Sequence, residues 1–171
     1  MRFIPVALPL LLAGCATPQP VMSPLPTASV TASVETDPVG TTDDAADDPA
    51  IWRNAADPAA SLVVATDKQA AIHVYDLKGK RLHSAPSPRL NNVDLRDMGG
   101  TTGVLVAASD RQDIANAKMA LFRLDTIARQ LVPIGSIAVG AGEAYGMCLW
   151  QRASDKALFG FLVLKDGRID Q

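Results

Sequence analysis

The sequence predicts an all-β fold of the β-propeller type, and three observations carry that prediction. From Ser61 onward short apolar runs alternate with polar turns, and none is long enough for a helix of ordinary length. Twelve Pro and twelve Gly beside only 5% aromatic residues suit a chain rich in turns. The chain also repeats itself. Val64-Ala65-Thr66-Asp67-Lys68-Gln69, followed by a strand ending in Val74-Tyr75-Asp76-Leu77, returns as Ala107-Ala108-Ser109-Asp110-Arg111-Gln112, followed by Leu121-Phe122-Arg123-Leu124-Asp125. Lys68 and Arg111 are 43 residues apart, within the ~40 to 45 of a four-stranded blade.

The candidate strands are Ser61 to Thr66, Ala71 to Leu77, Gly103 to Ser109, Met119 to Leu124, Leu131 to Val139, Tyr145 to Trp150 and Ala157 to Leu164. Alternation in the second puts Ile72 and Val74 on one face and His73 and Tyr75 on the other. Asp76-Leu77-Lys78-Gly79 then supplies a turn. The strand ending at Leu164 runs into Lys165-Asp166-Gly167, 54 residues beyond Arg111, so the second interval is expected to contain a loop insertion. Trp52 and Trp150 are expected to be core anchors, Cys148 a small buried hydrophobe, and neither His73 nor His83 catalytic.

Equivalent positions of successive blades gather at one end of a central channel. Lys68, Arg111 and Lys165 are therefore expected to converge. Like charges in a partly desolvated site repel by several kcal/mol, and such an arrangement persists mainly where an anion offsets it. A phosphate-rich ligand is the natural candidate, and the alternative is three unrelated, solvated turn cations.

The N-terminus reads as an export signal. Arg2 precedes the apolar run Phe3 to Leu12, too short to cross a hydrocarbon core of ~30 Å. It ends in Leu11-Leu12-Ala13-Gly14-Cys15, the pattern of a bacterial lipobox. Residues 1–15 are thus expected to be a lipoprotein signal with Cys15 lipidated, placing an exported protein at the outer membrane or in the periplasm. Residues 16–34, rich in Pro, Ser, Thr and Ala, read as a flexible tether to a domain at 35–171. The net charge of −2 brings no basic excess for nucleic acid.

Asp43-Asp44-Ala45-Ala46-Asp47-Asp48-Pro49-Ala50-Ile51-Trp52 is the densest acidic stretch. Carboxylates packed before an apolar anchor suit calcium, which takes roughly six to eight oxygen ligands, although the spaced pattern of an EF-hand is absent. A solvated acidic turn is the other reading of these residues.

This stretch resembles the opening motif of the β-propeller phytases. Further segments follow in that family's order: Thr66-Asp67-Lys68, Val74-Tyr75-Asp76-Leu77-Lys78-Gly79-Lys80, Leu90-Asn91-Asn92-Val93-Asp94-Leu95-Arg96, Ala107-Ala108-Ser109-Asp110-Arg111, Glu143-Ala144-Tyr145-Gly146 and Lys165-Asp166-Gly167. The resemblance implies a six-bladed propeller that hydrolyses phytate, inositol hexakisphosphate, with calcium ions. It implies Asp47 as an active-site calcium ligand, and Asp48 with the carbonyls of Pro49 and Val93, and separately Glu35, as ligands of stabilising calcium sites. Lys68, Arg111, Tyr145 and Lys165 match the residues that hold phosphate oxygens, and Asp166 an acidic calcium ligand. Three positions depart from the pattern: Gln69 stands for a second Lys, Asp110 for Asn, and Asp166 for a longer Glu.

Six blades need well over two hundred residues at ~40 to 45 each, whereas residues 35–171 number 137. The chain is therefore expected to supply two to three blades, as a fragment or truncated product with weak or no hydrolysis of its own. Two further readings keep the blade repeat: a non-catalytic lipoprotein scaffold, and a propeller hydrolase acting on lactones or phosphodiesters.

Overall fold

In the computed structural model residues 28–171 are described, so Cys15 and the signal expected at residues 1–15 lie outside them. The chain divides after Thr31, and the unit Ala32–Gln171 holds all the regular structure described below. Eleven strands make three antiparallel sheets, each a meander in chain order. The first is β1 (Ala46–Trp52), β2 (Leu62–Asp67), β3 (Ala71–Asp76) and β4 (Arg81–Pro86). The second is β5 (Leu90–Asp97), β6 (Val104–Asp110), β7 (Asn116–Asp125) and β8 (Gln130–Ala141), and the third is β9 (Ala144–Gln151), β10 (Leu158–Leu164) and β11 (Ile169–Asp170). No α-helix occurs among the described residues.

The alternation of small and β-branched residues makes these strands and decides what they bury. Leu62 and Val64 of β2 with Ile72 and Val74 of β3 face Leu90, Val93, Val106, Ala108 and Phe122 of the second sheet. On the opposite face of that sheet, Ala107, Ala117 and Met119 meet Ala144, Leu149, Leu162 and Leu164 of the third. Strands β5 to β7 of the middle sheet are thus covered on both sides, whereas β8 is largely exposed, and each fully buried Leu, Ile or Val contributes about 1.5–3 kcal/mol. Gly160 of β10 lets the third sheet approach the middle one: a Cβ there would lie 2.8 Å from the Met119 methyl. The first strands β1, β5 and β9 pack against one another in series, as do the last strands β4 and β8. Sheets stacked face to face with their first strands adjacent form an arc of propeller blades.

Several expectations are corrected here. No loop insertion separates Arg111 from Lys165. The second blade is longer chiefly because β7 and β8 span 10 and 12 residues where β3 and β4 span 6 each. Cys148 is exposed, and Trp150 is half exposed against Phe159, because both lie on the face of the third blade opposite Leu149. Trp52 does pack on the first core, its indole donating to Asp97. His73 and Tyr75 do face away from Ile72 and Val74, yet both are buried.

The chain from Glu35 to Ala45 supplies their cover. Asp37 accepts from the Arg81 amide and donates its own amide to the Gly79 carbonyl, while Arg81 donates to the Val39 carbonyl and Thr41 to Asp67. Gly79 is required twice over. Its φ is +81°, and a Cβ would lie 1.9 Å from the Glu35 carbonyl oxygen.

Candidate functional site

The repeat places its three cations at equivalent corners. Lys68 opens the β2–β3 turn, Arg111 the β6–β7 connection and Lys165 the β10–β11 turn. Alternate strands run in opposite directions, so these corners share one end of the arc.

Lys68 is mostly buried, with Nζ 2.5 Å from Asp44 Oδ1 and 3.4 Å from Asp47 Oδ1. The Asp44 hydrogen bond foremost, with the Asp47 charge adding and burial opposing, raises its pKa above 10.5. Arg111 donates through Nε and Nη2 to Glu143 Oε1 at 3.0 and 2.5 Å, and through Nη1 to Asn91. Lys165 Nζ lies 3.6 Å from the same Glu143 oxygen. The Arg111 hydrogen bond, with the Arg111 and Lys165 charges adding and desolvation opposing, holds the Glu143 carboxyl below its ordinary 4.5.

Tyr145 stands between these two cations. The Arg111 guanidinium carbon is 5.5 Å from its ring centre and the Lys165 ammonium 5.4 Å, within cation–π range. Tyr145 as a whole is half exposed. Lys68 and Arg111 in turn line one cavity of about 190 Å³ with Asp44, Gln69, Arg89 and Leu90. Lys68 is thereby linked to Arg111 by a shared cavity, and Arg111 to Lys165 by a shared carboxylate.

The expected calcium ligands are less concentrated. Asp47 is held by Lys68, whereas Asp48 accepts through Oδ2 from the Val93 amide at 3.0 Å, joining β1 to β5. Glu35 lies beside the β3–β4 turn, at the end of the first blade opposite Lys68. Asp166 is exposed and turns to its neighbour Arg168. No group of three or more His, Cys, Asp or Glu side chains among the described residues is placed to hold one metal ion. The Asp48 carboxylate with the Pro49 and Val93 carbonyls is nonetheless an all-oxygen set of the hard kind calcium takes, and Asp48 already meets the Val93 amide.

The departures have structural partners. Gln69 donates its amide to the Asp44 carbonyl, and Asp110 accepts from the Gln112 amide to shape the turn after β6. Neither histidine approaches the cations: His73 Nδ1 pairs with Ser84, and His83 accepts from the Leu131 amide. Sequence reasoning passed over Glu143, Asp44 and Arg89. Glu143 and Asp44 stood inside recognised segments without a role and Arg89 directly before one, because ion pairing across blades leaves no local pattern.

A family model described as Phytase matches residues 4–171 of the chain. Over 149 residues the chain is 38% identical to the 3-phytase of Bacillus subtilis (strain 168), an alignment that covers 83% of this chain and 39% of that relative.

Proposed function

This chain belongs to the phytase family, and on that footing we propose that the protein releases phosphate from phytate by calcium-assisted attack of water. The observation that carries the proposal is the placing of Arg111 and Lys165 around Tyr145 and Glu143, with Lys68 joined to Arg111 across a shared cavity. A substrate dense in phosphate groups competes for these cations with Asp44, Asp47 and Glu143, which a neutral lactone does not.

The chain's own residues bind and orient. Arg111 presents a planar fork suited to two phosphate oxygens, Lys68 and Lys165 supply point charges, and Tyr145 directs its hydroxyl between them. Carboxylates now paired with these cations hold them in place until phosphate oxygens take over. Hydrolysis forms a new P–O bond from water and breaks the bond to the inositol oxygen, which leaves with a proton. Calcium, when bound, neutralises phosphate charge and lowers the pKa of a coordinated water. Asp47 is the residue we assign to hold it at the reacting phosphate, with Asp166 a further carboxylate beside Lys165, while Asp48 with the carbonyls of Pro49 and Val93, and separately Glu35, would hold stabilising calcium ions.

The cavity between Lys68 and Arg111 draws its walls from the first two blades, and we propose weak turnover for the 171-residue chain alone. Phosphate release from calcium phytate, compared with Lys68→Ala and Arg111→Ala, tests the reading. Calcium-dependent release that both variants lose supports it, and release that both retain refutes it. A scaffold role requires no release at all. For location, we propose an exported lipoprotein anchored through Cys15, supported by the apolar run and Leu11-Leu12-Ala13-Gly14 before it. Palmitate labelling that Cys15→Ser abolishes is the expected outcome, and labelling that survives the substitution excludes this anchor.

A further inference from the structure

Arg89 occupies a position that nothing above assigns. It lies in the short link between β4 and β5 with its side chain exposed, lining the cavity shared by Lys68 and Arg111. Its amide donates to the Lys68 carbonyl at 2.9 Å, and its own carbonyl accepts from the Arg111 amide at 3.0 Å. The residue is thus stitched by its backbone between the two cations of the first two blades.

That stitching holds it at φ +69°, where an L side chain is disfavoured and glycine is not. Asp43, Arg129 and Lys156 share the left-handed region, at 63°, 56° and 61°, but Asp is a residue type that tolerates it and the other two occupy strand-to-strand turns where such a residue is ordinary hairpin geometry. Arg89 sits in a link between blades, with no hairpin to close. A strained backbone that carries a long cation into a cavity points to a role for the side chain.

Charge bookkeeping leads the same way. Lys68 is paired with Asp44 and Asp47, and Arg111 with Glu143. Among the described residues no carboxylate forms an ion pair with Arg89, whose Nε turns toward the Arg111 carbonyl at 3.5 Å. Of the three cations lining the cavity, Arg89 alone brings charge that the protein has not already balanced. Asp44, also in the lining, opposes an anion there, and its bond to Lys68 offsets that opposition.

Resting on the phytase reading, we infer that Arg89 is a substrate-binding residue that grips a phosphate group of phytate in the cavity between Lys68 and Arg111. A guanidinium matches phosphate oxygens in a two-pronged fashion, and a charge-assisted pair of this kind is worth about tenfold to a hundredfold in affinity.

Titration calorimetry of the 171-residue chain with phytate tests this, using Arg89→Gly, Arg89→Gln and, as comparator, Lys68→Ala. Glycine accepts the backbone conformation, so Arg89→Gly is expected to melt no lower than the parent while binding phytate about tenfold to a hundredfold more weakly. Arg89→Gln keeps the backbone as it is, removes the charge and is expected to lose affinity to the same extent. Parental affinity in both Arg89 variants, with loss in Lys68→Ala, overturns the inference and leaves the phytase reading standing. Absence of phytate binding by the parent chain, or full binding by Lys68→Ala, overturns that reading and this inference with it.

Discussion

Thr66 Oγ1 donates a 2.5 Å hydrogen bond to the Asn91 carbonyl across the junction of the first two blades, and Ser109 Oγ repeats it to the Tyr145 carbonyl, at 2.7 Å, across the next. Each hydroxyl also accepts from the first strand of its own blade, Thr66 from the Asp48 amide at 3.2 Å and Ser109 from the Asn92 amide at 3.0 Å. The hydroxyl two residues before each cation therefore ties together the strands that carry the site. In the third blade Val163 stands at this place, so the tie is confined to the first two.

Replacing Thr66 by Val preserves shape and strands a buried carbonyl and amide, each worth about 1–3 kcal/mol. Urea denaturation of Thr66→Val and Ser109→Ala should show midpoints lowered accordingly. Unchanged midpoints would mean that apolar packing alone sets the junctions.

Glu143 gives a pH signature. Its folded pKa is depressed below 4.5, chiefly by the Arg111 hydrogen bond, so its contribution to stability is present above that value and fades as pH falls through the folded pKa. Glu143→Gln should be less stable than the parent at neutral pH, with the gap closing on acidification below the ordinary 4.5 of the carboxyl. Melting curves from pH 7 downward check it, and a gap that widens toward acid would contradict the pairing.

Gly79→Ala meets both a positive φ and a backbone oxygen 1.9 Å from the new Cβ. The turn or the chain over it must move, at a cost above about 2 kcal/mol. Chemical denaturation reads the loss, and faster proteolysis between Glu35 and Ala45 reports detachment of the cover from His73 and Tyr75.

Calcium at Asp48 is open to a test without turnover. An ion that binds only the folded chain stabilises it by roughly 2.7 kcal/mol at a hundredfold excess over its Kd. Added calcium should raise the melting temperature of the parent, and Asp48→Asn should blunt that rise. An equal rise in both would move the site elsewhere.

Much of the fold was legible because β2, β3 and β6 to β10 show as short apolar runs between polar turns. β1, β4 and β5 were missed as strands. β1 holds Asp47, Asp48 and Pro49, and β4 holds Arg81, His83 and Pro86, so neither shows a clean apolar face; their pairing with β2 and β3 makes them strands. Lys68, Arg111 and Lys165 could be read as convergent because the repeat names equivalent corners. Their partners could not, since Asp44 is 24 residues from Lys68, and Glu143 is 32 from Arg111. The exposure of Cys148 and Trp150 was likewise hidden, because alternation shows that a strand has two faces without showing which one is covered.

The central claim is that cations from three blades act together on one polyphosphorylated ligand. Phytate affinities of Lys68→Ala, Arg111→Ala and Lys165→Ala, beside the exposed Arg123→Ala as control, test it most directly. Each of the first three should weaken binding by about tenfold or more while Arg123→Ala leaves it unchanged. Equal affinity across all four would show that the three corners do not form one site.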